Sequence, residues 1–211
     1  MYTAHGILAC LAWAAIFPIG GIMIRLLSFP HLLWVHVGLQ ITGYCLYIAA
    51  MVLGILLSIN PKFWRMHDKH VIIGLILFVS FFFQGITGYV HHLMYKKEGR
   101  RTAVSFIHLW TGRVCITLAM INAGFGFQLT HKGTGTWQVK TYTVFAVVMW
   151  VLYVVSIVVG ERRKRRQAKE RAGANIAAVN GSTSDSGGSR SSVRREHEVM
   201  GGEKYMAEDR A

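Results

Sequence analysis

The chain has 211 residues, 53% of them hydrophobic and only 16% charged, with a formal net charge of +13. The length suits one domain, yet no charged residue falls between Arg25 and Lys62, between Lys69 and Lys96, or between Lys140 and Glu161. Each gap holds an apolar run long enough to cross hydrocarbon, which excludes an ordinary soluble globule and makes lipid the natural solvent.

In chain order, the apolar runs predict spans at 6–27, 32–59, 70–93, 104–129 and 139–160. Backbone in lipid has no water to bond, and the runs lack the period-2 alternation of a barrel, so all five are expected to be helices. The fold class is therefore all-α, an integral membrane protein with a four-helix cofactor-binding bundle and a fifth span. The first run has no basic stretch ahead of it and reads as a span rather than a cleaved leader. Cys10, Cys45 and Cys115 lie inside spans with no CxxC pair, as small packing residues.

Five spans put the termini on opposite sides. One face carries Arg25, Lys96, Lys97, Arg100, Arg101, Arg162, Arg163, Lys164, Arg165, Arg166, Lys169 and Arg171, twelve cations in all. The other carries Lys62, Arg65, Lys69, Lys132 and Lys140, which makes five. The positive-inside bias then places the N-terminus outside and the C-terminus in the cytoplasm. After Gly160 the composition turns to Arg, Lys, Ser, Gly and Glu, so residues 1–160 form the membrane domain and 161–211 are expected to be a basic, disordered tail. The first part of the tail can continue the fifth helix and attract anionic lipid. This placement of charge needs no nucleic acid to explain it.

Four successive spans carry a histidine near their start: His5, His36, His70 and His108. Consecutive spans run in opposite directions, so His5 and His70 share the outer layer, while His36 and His108 share the cytoplasmic one. Depth matches within each layer, since the outer two stand at the mouth of their spans and the inner two about one turn inside. In an up-down bundle the first and third helices are diagonal, as are the second and fourth, so each layer can grip one central ligand from two sides. A planar iron porphyrin with two axial imidazoles fits; zinc, which gathers three or four ligands in one cluster, does not. Gly74 and Gly112, each four residues after a histidine, read as room for a flat macrocycle, with Gly6 and Gly38 less diagnostic. Each of these positions has a plainer reading as packing or hydrogen bonding between membrane helices.

Other polar residues are sorted by place. Arg113 is the one charge well inside a span, and a haem propionate, a backbone carbonyl or snorkelling would each satisfy it; Arg25, nearer the boundary, is expected to snorkel. Gln40, Gln84, Asn122 and Gln128 are expected inside the bundle, bonding between helices or to a haem edge. Trp34, Trp64, Trp110 and Trp137 lie at span ends as headgroup anchors. His31, His67 and His131 fall in loops; His31 or His67 could replace His36 or His70, but neither has a partner at matched depth. His91 and His92, with Lys96, Lys97, Arg100 and Arg101, form a basic lip able to draw an anionic donor, though topogenic charge alone explains it.

The runs AHGILACLAW and FPIGG, WVHVGLQ, HVIIG, FQGITGYVHHLMYKKEGRRT, IHLWTGR and INAGFG together resemble the cytochrome b561 family, over roughly residues 1–160. The resemblance is to the fungal and plant branch whose membrane part often follows an extracellular DOMON domain. It departs at Gln84-Gly85, where relatives often carry Gln-Pro, and no DOMON domain precedes His5. It implies transmembrane electron transfer through two haem b groups, with His5 and His70 ligating the outer one and His36 and His108 the inner. Small-molecule electron donor and acceptor, or an extracellular redox domain, are the partners it implies, with ascorbate and ferric iron as candidates. A competing class is a haem-free helical scaffold or anchor subunit whose histidines only bond between helices.

Overall fold

The computed structural model describes residues 1–60, 65–130 and 134–208, and from 179 onward its backbone only. Lys62, Trp64, His131 and Lys132 lie outside the described residues. Five helices are apolar and long enough to cross a membrane, and the expected fold class holds: α1 (Tyr2–Leu26), α2 (Leu32–Ser58), α3 (Lys69–Glu98), α4 (Ala103–Leu129) and α5 (Trp137–Glu208). Among the described residues there is no strand.

Helix α1 is not uniform. Tyr2–Cys10 and Phe17–Leu26 are α-helical, but Leu11–Ile16 between them winds as a π-helix, in which Phe17 N–H bonds to Ala12 O. Pro18 gives the cause: it has no N–H for the carbonyl four residues back, and its ring would clash there. The wider turn absorbs both defects and adds a residue to the helix. It also places Ala12, Trp13 and Ala14 in the core, all under 5% exposed.

Helices α1 and α2 pack as one antiparallel hairpin and α3 and α4 as another; α1 against α4 and α2 against α3 join them. The arrangement leaves α1 diagonal to α3 and α2 diagonal to α4. Eight residues past a histidine, Trp13, Tyr44 and Phe78 reach the middle of the bundle, where Phe17, Tyr47 and Phe81 join them. Trp13 sits 4.7 Å from Phe17 and 5.0 Å from both Tyr47 and Phe81, ring centroid to centroid. Outside, Ile72, Ile76, Val79, Phe83 and Ile86 expose an apolar stripe on α3, as a lipid-facing helix must.

The α3–α4 turn is built from its residue types. Gly99 ends α3 at φ +66°, a conformation that a Cβ would oppose, and Thr102 opens α4 with a capping box to Ser105. Helix α5 reaches the bundle through side chains: Tyr142 OH donates to Met120 O at 2.9 Å, and Trp150 Nε1 donates to Thr117 Oγ1 at 3.2 Å.

Residues 1–160 form one compact unit and 161–211 a second. Where composition leads to an expectation of disorder beyond Gly160, the backbone is helical through Glu208. The early part of this second unit is rich in Ala, Arg, Lys, Glu and Gln, all good helix formers, and carries an Arg166–Glu170 pair at 2.9 Å in the favourable i,i+4 spacing.

Candidate cofactor site

Each of the four histidines is half-buried, with its imidazole turned toward a neighbouring helix. His5 Nδ1 donates to Ala50 O on α2 at 2.7 Å, His36 Nδ1 to Gly20 O on α1 at 2.9 Å, and His70 Nδ1 to Asn122 O on α4 at 2.9 Å. A carbonyl can only accept, so in each ring Nδ1 carries the proton and Nε2 keeps its lone pair. That is the tautomer in which an imidazole ligates a metal through Nε2 while its other nitrogen is held in place.

Helix pairing sets these contacts through a repeated spacing. Ala50 stands fourteen residues after His36, and Asn122 fourteen after His108, so in an antiparallel hairpin each carbonyl comes level with the partner's histidine. In α1 the accepting residue, Gly20, is fifteen after His5; the π-turn absorbs the extra residue. Four residues beyond the acceptor, a glycine clears space for the ring. A Cβ on Gly54 would come 2.8 Å from His5 Cε1, and one on Gly126 would come 2.9 Å from His70 Cε1. On Gly88, four residues beyond Gln84, it would come 2.8 Å from Cε1 of His108, whose Nδ1 is buried with no hydrogen-bond partner among the described residues.

His5 and His70 are brought together across the α1–α3 diagonal, with ring centroids 5.9 Å apart and planes at 88°. At the other end, no ring contact between His36 and His108 is found among the described residues. The ring in contact with His108 is His91, centroids 5.8 Å apart and planes at 19°, and His91 Nδ1 hydrogen-bonds Ser105 Oγ at 2.7 Å. His31, His67 and His92 are exposed.

Arg113 is half-buried with its guanidinium over the Trp110 ring at 4.9 Å, and it lines a cleft of about 390 Å³ with Val114, Thr117, Leu118 and Ile121. Arg25 does more than snorkel: it packs over the Tyr153 ring at 5.3 Å and donates to Gly21 O at 2.6 Å. Gln84 and Asn122 are buried as expected, but Gln128 is exposed, since it falls in the last turn of α4 on its outer side. Gly74 and Gly112 face amide side chains of the adjacent helix, and a Cβ on Gly112 would come 2.8 Å from Gln84 Nε2.

Among the described residues no three His, Cys, Asp or Glu side chains gather as a metal-binding group. The donor set is a pair of neutral imidazoles facing each other across a bundle. It fits a metal whose remaining positions come from a macrocycle, as in a bis-histidine haem.

Comparison with known proteins agrees with that chemistry. The family model for eukaryotic cytochrome b561 matches residues 3–133. The chain belongs to the cytochrome b561 family. This family binds b-type haem and carries electrons across membranes, and the five apolar helices accordingly make the chain a multi-pass membrane protein. Two cytochrome b561 and DOMON domain-containing proteins of Arabidopsis thaliana are similar to it. One is 29% identical over 159 residues, 74% of this chain and 38% of the relative; the other is 25% identical over 131 residues, 60% and 31%. The chain thus spans about a third of the length of the curated cytochrome b561 relatives it matches. No solved structure matches it.

Gly54, Gly88 and Gly126 escape a reading of single helices. Their signal is a glycine eighteen residues after a histidine on the same span, repeated for His36, His70 and His108.

Proposed function

We propose that the bundle carries electrons between a cytosolic reductant and a non-cytoplasmic acceptor through two haem b groups, one held by His5 and His70, the other by His36 and His108. The observation that carries this reading is the facing pair of His5 and His70, each with Nδ1 tied to a backbone carbonyl and Nε2 left for a ligand. When bound, haem iron supplies a one-electron couple. The protein's part is to fix each imidazole in tautomer and direction, and to surround both layers with apolar side chains that exclude water. Arg113, five residues beyond His108, is the cation we assign to the acidic edge of the inner group.

The α3–α4 turn, with Lys96, Lys97, Arg100 and Arg101, is the approach for an anionic donor such as ascorbate. Ferric iron or a redox domain is the acceptor assigned to the face of His5 and His70. A haem-free scaffold is the second reading, favoured by the same hydrogen bonds, because His5, His36 and His70 already bond between helices without any cofactor. It leaves unexplained why His5 and His70 meet.

Full chain purified in detergent is expected to show a reducible b-type spectrum with close to two haems per chain. Single variants His70→Ala and His108→Ala are each expected to lose one haem and keep the other. A colourless wild-type protein, correctly inserted, would favour the scaffold.

A further inference from the structure

The two buried amides, Gln84 at 8% and Asn122 at 6% exposure, stand in matched positions that packing alone does not require. Gln84 on α3 donates from Nε2 to His108 O on α4 at 2.7 Å; Asn122 on α4 donates from Nδ2 to His70 O on α3 at 3.1 Å. Each lies fourteen residues after the histidine of its own helix, so the antiparallel hairpin delivers each amide to the other helix's histidine. Room for Gln84 comes from glycine, since a Cβ on Gly112 would come 2.8 Å from Gln84 Nε2; Gly74 lies beside Asn122, where a Cβ would make ordinary contact at 3.8 Å.

The α1–α2 hairpin places the Gln40 amide against Gly20, but among the described residues it has no side-chain amide bonded to a histidine carbonyl. Fourteen residues after His36 stands Ala50, and fifteen after His5 stands Gly20, neither with a side-chain amide.

A plain interhelical hydrogen bond accounts for the amide N–H groups and leaves the other half of each side chain over. Gln84 Oε1 and Asn122 Oδ1 are both buried with no hydrogen-bond partner among the described residues. Two such acceptors are costly to retain for stability alone, since hydrogen-bonded or apolar alternatives exist. In a medium of low dielectric, an unscreened carbonyl keeps its partial negative charge, which favours the more positive state of a neighbouring redox group.

We infer that Gln84 and Asn122 are positioning residues that each clamp the backbone carbonyl of one histidine, Gln84 that of His108 and Asn122 that of His70, and so set the redox midpoint of one haem without touching the other. The inference rests on the two-haem reading above. Its geometric basis is the crossed pair of amide-to-carbonyl bonds, made to the backbone of one histidine of each proposed pair and, among the described residues, not to that of His5 or His36.

The test is a redox titration of full-length protein in detergent, followed by optical and low-spin EPR spectra that resolve the two haems. Gln84→Met and Asn122→Leu keep similar volume and remove the amide. Gln84→Met is expected to raise the midpoint of the haem held by His108, by on the order of a tenfold change in the redox equilibrium, ~59 mV for one electron. The other midpoint stays in place, and Asn122→Leu does the reverse. Loss of the clamped haem alone, with the other's midpoint kept, supports the same conclusion. Gln84→Asn, which keeps the amide but shortens its reach, is expected to shift the same haem less. Equal movement of both midpoints in each variant, or no movement with both haems bound, overturns the clamp. Wild-type protein lacking two haems would fail the underlying reading instead, before any variant is made.

Discussion

At the scale of single residues, one methyl group is a sharp probe of the site. A Cβ at Gly126 would stand 2.9 Å from His70 Cε1, closer than such atoms approach, and the neighbour is a ring already held at Nδ1. Overpacking of this kind costs about 1–3 kcal/mol, enough to turn the imidazole out of line. Gly126→Ala is therefore expected to lose or weaken the haem at His70, and Gly88→Ala the one at His108, as read from haem content per chain. Gly85→Ala, whose added carbon meets nothing within 4 Å, should leave both in place. The histidines themselves are legible in the sequence because each marks the start of a span and depth can be counted along one helix. The glycines that receive them are not, because the contact is made with the far end of the neighbouring helix and appears only once antiparallel pairing is known. The amides beside Gly74 and Gly112 are hidden from the sequence for the same reason: each comes from another helix, and only at Gly112 would a Cβ meet it closely. Arg25 likewise looks like a boundary cation until α5 supplies the Tyr153 ring.

At the scale of elements, the spacing between a histidine and the carbonyl that faces its hairpin partner sets the register. It is fourteen residues in α2 and α4, and fifteen in α1, where Leu11–Ile16 winds as a π-helix. The extra residue is thus tolerated because it is confined to one wide turn, with both ends of α1 still in phase. Hydrophobic periodicity could not reveal this, since an apolar run in lipid carries little phase information, and only Pro18 hints at a break in the hydrogen-bond ladder. Removing Ala15 together with Pro18→Ala should let α1 run as a regular helix of fourteen-residue spacing. Both haems are then expected to be retained, with a modest loss of thermal stability from the missing Pro18 packing. Removing Val79, an exposed residue in the same stretch of α3, has no wide turn to absorb it and rotates everything beyond by about 100°. That deletion is expected to cost at least one haem. Equal tolerance of the two deletions, measured by haem content, would show that register is not what the π-turn protects.

At the scale of the whole molecule, charge and field act in one direction. The twelve cations that the sequence places on one side, against five on the other, favour that side as cytoplasmic under the proposed orientation, and the α3–α4 turn lies on it. A cytoplasm held negative then favours outward movement of an electron by about 2.3 kcal/mol per 100 mV if the charge crosses the full field. That amounts to roughly a fifty-fold change in the equilibrium between a reductant inside and an acceptor outside. Under the proposed reading the buried rings of Trp13, Phe17, Tyr47 and Phe81 lie between the two layers, so little of the field should be short-circuited there. Vesicles reconstituted with the C-terminus inward, loaded with ascorbate and offered a ferric chelate outside, are expected to reduce it faster when a potassium gradient makes the lumen negative. They should slow when the gradient is reversed. Vesicles of the opposite orientation, separated by access to a C-terminal tag and given ascorbate outside and the ferric chelate inside, should reverse the sign of the voltage effect. A rate indifferent to voltage in both populations would mean that the electron does not traverse the bilayer field within this bundle.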